Sequence, residues 1–404
     1  MADFLTAAEA ARRLGVKPAT LYAYVSRGVL SRGKAADGRA SLFSADEVER
    51  LARRGRPRRP AGAADITVQS AITEIAGDRL RFRGLDATRL AVSRSFEDVA
   101  ELLWTGDLPA QSAREPWQAR PAALVAGRAA QAALPAGTLP LERLQVIVPA
   151  MAATDPLRLQ LDQSAVLAAG RSIVAGMVEC LPSAVTASAG EPIAGRLWAR
   201  LCDRPASPGL LRAMSAALVL LADHELAAST LAARAAASVR ADPYAVVGTG
   251  LGAVSGALHG GASLGAEALV AAAGSPDDVP QVVAELLRRG EKVPGFGHFV
   301  YRGGDPRAVV VLDLVRQAAP KSGQLAVAEA VLAEVRQKSL PEPNVDFAIA
   351  TLARVAGMVR GAGEAIFAVA RVAGWIAHAL EAYAGDAPLR PRAVYTGRPA
   401  ADGP

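Results

Sequence analysis

Three segments decide how this chain is read: ADHELAAST (residues 222–230), GALHGGAS (256–263) and VPGFGHFVYRGGDPRA (293–308). They hold His224, His259 and His298, three of only four histidines in 404 residues. Histidine has the ordinary pKa nearest neutrality, so it can give or take a proton at physiological pH. Glycines beside His259 and His298 let the backbone approach a ligand closely and put both side chains at element ends rather than in mid-helix. None of the three stands at HxxxH or HExxH spacing, so no metal site is expected. A chain this poor in histidine has a task for these three.

The sequence around these segments is 51% hydrophobic but only 4% aromatic, rich in alanine and thin in β-branched residues. That composition favours helices packed closely through small side chains, and the length implies two or three folding units. No uninterrupted apolar run reaches about 18 residues, and MADFLTAAEAARRLG lacks the apolar core of a signal peptide. A soluble, cytoplasmic protein with no membrane partner is expected. Cys180 and Cys202 match no metal spacing and read as buried, inert thiols.

The net charge of +6 is concentrated at one end. Residues 1–60 carry 13 Lys and Arg against 6 Asp and Glu, which leaves the remainder near neutrality. FLTAAEAARRLGV (4–16) opens with Thr6 three residues before Glu9, a capping-box spacing, and KPATLYAYVSRG (17–28) reads as a second short helix. A wing around Gly33 and Gly38 follows, with Phe43 packing back and Ser44 capping a third helix. This pattern resembles the winged helix-turn-helix of the MerR and excisionase-like families. Thr20, Tyr22, Ser26 and Arg27 then fall on the reading helix, and DNA is the partner implied for residues 1–60. The domain is expected over residues 1–55, with a basic linker at 56–66.

Two phosphate-loop look-alikes fail on inspection. GVLSRGK (28–34) fits a Walker A loop until Ala35, where a Ser or Thr is required, and GTGLGAVSG (248–256) lacks the last glycine of GxGxxG and any preceding strand. Close helix packing is the better account of the second.

Further chemistry lies downstream. LPEPNVDF (340–347) places Asp346 at the head of an apolar helix after a proline-rich turn. FAVARVAGWIAHALEAY (367–383) places Arg371 inside a strongly apolar helix, where a guanidinium needs an anionic partner, either a structural carboxylate or a bound one. Arg307 of GGDPRA and Arg390 of RPRAVYTG are further guanidinium groups beside turn residues, suited to forked carboxylate recognition.

Taken in order, ADHELAAST, DPYAVVGTGLGAVSGALHGGAS, VPGFGHFVYRGGDPRA, LPEPNVDF, FAVARVAGWIAHALEAY and RPRAVYTG resemble the motifs of the citrate synthase family. LRFRGLDATRLAVSRSFEDVAELLWTGDLP (80–109) is similar to its N-terminal region. The resemblance implies a mainly α fold over residues 67–404 with large and small helical domains, the smaller and mobile one spanning about 262–365, and a homodimer. It implies condensation of acetyl-CoA with oxaloacetate, no permanently bound cofactor, and acetyl-CoA as cosubstrate. Asp346 is then the base that deprotonates the acetyl methyl, His259 the donor to the thioester carbonyl, and His298 the donor to the keto oxygen. His224, Arg307 and Arg371 bind oxaloacetate, with Arg390 arriving from the partner subunit, and Val293, Pro294, Gly295, Phe296 and Gly297 cradle the adenine of CoA.

Family members often read DHELNAST and LHGGAN, whereas this chain has Ala227 and Ser263 at the asparagine positions and Phe299 after His298. A 2-methylcitrate synthase using propionyl-CoA is the same-class alternative. A DNA-binding regulator whose body senses oxaloacetate or acyl-CoA is the alternative of another class.

Overall fold

The computed structural model describes residues 4–14, 21, 25, 30–34, 41–45, 47–48, 68–110, 115–183, 190–385, 387–391, 393 and 397. By its internal contacts the chain divides into two compact units, residues 1–68 and 69–404.

In the first unit a three-stranded antiparallel sheet, ordered β1 (Phe4–Thr6), β3 (Ser41–Ser44), β2 (Arg32–Lys34), accompanies the helix Ala7–Leu14. The helix starts where the capping-box spacing places it. The Thr6 amide and hydroxyl both donate to Glu9 Oε2 (2.9 and 2.8 Å), and the Glu9 amide returns to Thr6 Oγ1 (3.4 Å). Phe43 is fully buried with Ala10, Leu21, Leu30 and Val48. Thr20, Tyr22, Ser26 and Arg27, and the linker 56–66, lie outside the described residues.

The second unit is helical apart from the antiparallel strands β4 (Thr73–Ala76), β5 (Arg79–Phe82) and β6 (Leu85–Asp86). After them the helix Phe96–Thr105 is bracketed by its own local chemistry. Ser95 and Asp98 form a capping box, and Gly106 ends the helix in the left-handed region at φ 87°.

Within the second unit the 23-residue helix Ala362–Ala384 meets Gln163–Cys180, Pro208–Leu221, Ala228–Ser238 and Pro243–Val254. The central helix is long and apolar enough to cross a membrane, but 83% of its most apolar window is buried inside the protein, as in a core helix. Its packing depends on small residues, as the alanine-rich composition predicts. Gly250 faces Trp375 so closely that a Cβ there would lie 2.6 Å from the indole. Of the glycines of GTGLGAVSG on the helix Pro243–Val254, Gly250 thus serves helix contact, whereas Gly248 and Gly252 meet nothing within 4 Å.

Cys180 and Cys202 are both free and buried, and burial pushes the Cys180 thiol up to about 11, far from a reactive thiolate.

Candidate active site

The chemistry-bearing residues sit where helices begin or where the chain passes between them. His224 occupies the short extended link between the helices Pro208–Leu221 and Ala228–Ser238. His259 lies in the turn before the helix Gly261–Ala272, and His298 in the loop leading to the helix Pro306–Ala318. Asp346 stands in the first turn of the helix Val345–Ala356, whose N-cap Asn344 accepts the Asp346 and Phe347 amides at 3.0 and 3.4 Å.

One carboxylate ties two of these helix starts together. Asp305 accepts the Arg307 amide at 3.0 Å as N-cap of its own helix and takes the Val345 amide at 2.9 Å with its other oxygen. It also holds the Arg307 guanidinium in a fork, Nε at 2.9 Å and Nη2 at 2.8 Å. Burial alone raises the Asp305 pKa, yet Arg307 outweighs it and the carboxyl lies below its usual value. Arg307 is thereby fixed before any ligand arrives.

His298 is oriented by its own loop. Its Nδ1 accepts the amides of Val300 (3.0 Å) and Tyr301 (3.4 Å), which places the proton of the neutral ring on Nε2. That nitrogen lies 3.2 Å from Arg307 Nη2. Two N–H donors therefore converge with no acceptor between them, and an oxygen placed there would satisfy both. His224 stands edge-on to His298 with ring centroids 5.2 Å apart, and its Nε2 is 2.9 Å from the Tyr301 hydroxyl.

His259 is anchored on the other side. Its Nε2 meets Ser229 Oγ at 2.8 Å, leaving Nδ1 for a ligand, and its ring stands edge-on to Phe367 at 5.4 Å. The Arg371 guanidinium lies over the other aspect of this region, 4.6 Å from the centroid of the same Phe367. Arg371 is 1% exposed and makes no ion pair among the described residues. Its Nε donates to the Leu221 carbonyl at 2.7 Å, and its Nη1 is buried without a partner. Of the two kinds of carboxylate expected for it, no structural one is ion-paired to it among the described residues.

Electrostatics give each group a definite form. Burial, reinforced by Arg371, lowers His259 to about 4, and burial with Arg307 does the same to His298. Burial holds His224 well below its usual value. All three imidazoles are neutral at physiological pH and act as hydrogen-bond donors, not cations. Asp346 is pushed the other way by burial, above the usual carboxylate range, while Ser263, donating to its Oδ1 at 2.5 Å, and Arg307 counter the shift. A raised carboxyl among neutral donors and two guanidinium groups matches proton abstraction next to a carbonyl.

The segment Val293–Gly297 is pinned to the turn before Asp346. The Gly297 amide donates to Glu342 O (2.8 Å), the Asn344 amide to Gly295 O (2.9 Å), and the Asn344 side chain to Gly297 O (2.9 Å). Six of the seven anticipated catalytic and dicarboxylate-binding residues thus meet. Arg390 does not join them. It is exposed in the tail after the central helix, with no hydrogen bond or ion pair to the cluster among the described residues. Ser229, Tyr301 and Asp305 are not among the expected site residues, and Ser263 is expected only as the residue at the asparagine position of LHGGAN. Only Asp305 left a readable signal, as an Asp-Pro pair opening a helix.

Known proteins resemble this chain over most of its length. The family model for the citrate synthase C-terminal domain matches residues 62–392, and that for a helix-turn-helix domain matches residues 4–56. The chain is 30% identical over 365 residues to citrate synthase 2 of Bacillus subtilis (strain 168), covering 82% of this chain and 94% of that protein. It is also 30% identical over 367 residues to 2-methylcitrate synthase of Mycobacterium tuberculosis (strain ATCC 35801 / TMC 107 / Erdman), covering 85% and 91%. The crystal structure of citrate synthase from Pyrobaculum aerophilum superposes with a TM-score of 0.71 at 28% identity, over 85% of this chain and 94% of that one. A mainly helical fold, a site of one raised carboxylate among neutral histidines, and a family match spanning most of the length lead to one assignment: the chain belongs to the citrate synthase family.

Proposed function

We propose that this enzyme condenses acetyl-CoA with oxaloacetate to give citrate and CoA. The observation that carries the reading is the placement of Asp346, with a raised pKa and one oxygen held by Ser263, in a cluster whose other members are hydrogen-bond donors. Asp346 Oδ2 takes a proton from the acetyl methyl as His259 Nδ1 donates to the thioester carbonyl, so the enol forms without a free enolate charge. The nucleophilic carbon attacks the keto carbon of oxaloacetate. Its oxygen gathers charge at the point where His298 Nε2 and Arg307 Nη2 converge. Arg371, with a free Nη1, and His224 hold the carboxylates. Hydrolysis of the citryl thioester then releases CoA and makes the sequence irreversible.

Val293, Pro294, Gly295, Phe296 and Gly297 cradle the adenine of the cosubstrate in this reading. Arg390 completes the dicarboxylate site from a partner subunit, so the working form is a homodimer in the cytoplasm. The experiment is CoA release from acetyl-CoA and from propionyl-CoA with oxaloacetate, comparing wild type with Asp346→Ala. No release above the variant sinks the enzyme reading. A preference for propionyl-CoA makes it a 2-methylcitrate synthase, the activity after which one relative is named.

The helix-turn-helix match over residues 4–56 favours a second role for the amino-terminal unit, DNA binding through residues 1–60 with their excess of basic charge. Retarded migration of promoter DNA that is lost on deleting residues 1–60 supports it. No retardation at low salt excludes it.

A further inference from the structure

His378, the fourth histidine, has no part in the chemistry above, yet it is 1% exposed and sits directly behind the site. It lies two turns beyond Arg371 on the helix Ala362–Ala384, on the same face. Arg234 Nη1 is 2.9 Å from His378 Nδ1. A guanidinium has only donors, so Nδ1 accepts, and the ring is a neutral tautomer with its proton on Nε2. Nε2 faces Asp223 Oδ2 at 3.5 Å.

Asp223 is fully buried and is the residue immediately before His224. Its Oδ2 also accepts the Thr73 hydroxyl at 2.5 Å and the Glu225 amide at 3.2 Å, while its Oδ1 has no hydrogen-bond partner. Midway between Arg371 and His378 on the helix, Gly374 donates its amide to Ala222 O at 2.8 Å. A Cβ at Gly374 would collide with Asp223 Oδ1 and Ala222 O, so glycine is what lets the segment carrying Asp223 and His224 press onto the helix.

Asp223 is near enough to Arg371 to act on its charge, yet the two form no ion pair. Two unsatisfied groups of opposite charge, Asp223 Oδ1 and Arg371 Nη1, are kept apart in a buried site where direct pairing would be strongly favourable. The restraint comes from the other side of Asp223, where the Thr73 hydroxyl and the Glu225 amide hydrogen-bond to Oδ2 and His378 Nε2, without a hydrogen bond of its own among the described residues, stands 3.5 Å from it. His378 is itself held by Arg234, which pairs with Glu381 at 2.7 Å.

We infer that His378 is a positioning residue for the dicarboxylate: it holds Asp223 off Arg371, so that Arg371 Nη1 stays open for a substrate carboxylate and His224 keeps its place beside it. The inference rests on the proposed binding of oxaloacetate at Arg371 and His224. Without His378, Asp223 swings onto Arg371 and competes with the substrate.

The test is calorimetric binding of oxaloacetate, with CoA release measured in parallel, for wild type, His378→Leu and His378→Gln. Glutamine can keep an N–H toward Asp223 and an acceptor toward Arg234, whereas leucine keeps neither. The expected result is an oxaloacetate Kd raised roughly tenfold or more in the leucine variant and largely restored in the glutamine variant, with the KM for acyl-CoA unchanged. A purely structural role would lower the melting temperature without separating the two substrates. Should the leucine variant bind oxaloacetate as wild type does, the inference is overturned and the synthase reading stands. If wild type binds oxaloacetate but releases no CoA, the synthase reading falls and the inference is still judged by the binding ratio. If wild type binds no oxaloacetate, both fall.

Discussion

Ser263 Oγ donates to Asp346 Oδ1 at 2.5 Å, and the serine making this bond is fully buried. The bond assigns the two carboxylate oxygens: Oδ1 is held, and Oδ2 is left for the substrate proton. It also stabilises the ionised form against the burial that raises the Asp346 pKa. In Ser263→Ala that pKa rises further, and because the base must be ionised, the acid limb of the pH–rate profile moves to higher pH. At neutral pH kcat falls by about tenfold, with the oxaloacetate KM unchanged. Rate profiles against pH for the two proteins decide it, and an unmoved acid limb would mean that Ser263 is mere packing.

Asp346 itself trades stability for function. Its folded-state pKa is raised, so its contribution to stability is full below the ordinary carboxylate pKa and is lost as pH rises through the folded value. At neutral pH the ionised group is a cost to the fold. Asp346→Asn, which keeps an acceptor for Ser263, is expected to lose CoA release by about 10³-fold while its melting temperature rises by about 2 °C or more. A scan of thermal unfolding beside the activity assay reads both, and a lowered melting temperature contradicts the assignment of buried charge.

The histidines, Asp346, Arg307 and Arg371 were legible in sequence because each is a rare or charged residue set against glycine, proline or an apolar run. Their partners were not. Ser229 and Ser263 are ordinary serines in alanine-rich helices, and only the folded chain brings them within 2.8 Å of His259 and 2.5 Å of Asp346. The sequence suits Arg307 to forked carboxylate recognition, and in the fold Asp305, two residues away, takes that fork, because the capping geometry of one turn aims both side chains at each other. Arg390 is expected at the site from the partner subunit, and among the described residues of one chain nothing joins it there.

The three site histidines make the protein acid-sensitive. Each has a folded-state pKa below the ordinary 6.5, about 4 for His259 and His298. Between those values the unfolded chain binds more protons than the folded one, so stability is full above pH 6.5 and falls as pH drops toward 4. Melting temperature measured across this interval is expected to fall toward acid, and less steeply in His298→Ala than in wild type. Parallel curves for the two proteins rule His298 out as a contributor.

Gly250 tests the packing reading of GTGLGAVSG. A Cβ at this position would sit 2.6 Å from the Trp375 ring, itself fully buried in the central helix. The indole cannot retreat without moving that helix, so Gly250→Ala is expected to destabilise by about 1–3 kcal/mol despite the better helix propensity of alanine. Neighbouring Gly248 meets nothing within 4 Å, and Gly248→Ala is the control that leaves stability unchanged or raised. Equal effects of the two substitutions in denaturant unfolding would show that contact with Trp375 is not what requires glycine.

Arg371 separates binding from folding most sharply. It is buried without a carboxylate partner, and burial lowers its pKa to about 10 even with Asp223 nearby to oppose the shift. Replacing it with methionine fills a similar apolar volume over Phe367 and removes a buried charge that is ion-paired to no carboxylate among the described residues. The loss is one hydrogen bond to Leu221 O, worth about 1 kcal/mol. Arg371→Met should therefore be no less stable than wild type by more than that amount, while its affinity for oxaloacetate falls by about 100-fold or more, as removing a desolvated guanidinium from a carboxylate does. Arg371→Lys keeps a charge but loses the planar fork, so it should bind oxaloacetate less well than wild type and better than the methionine variant. Calorimetric titration with oxaloacetate gives the affinities and thermal unfolding gives the stability. If the methionine variant binds like wild type, the dicarboxylate does not sit on Arg371, and the orphan Nη1 needs another explanation.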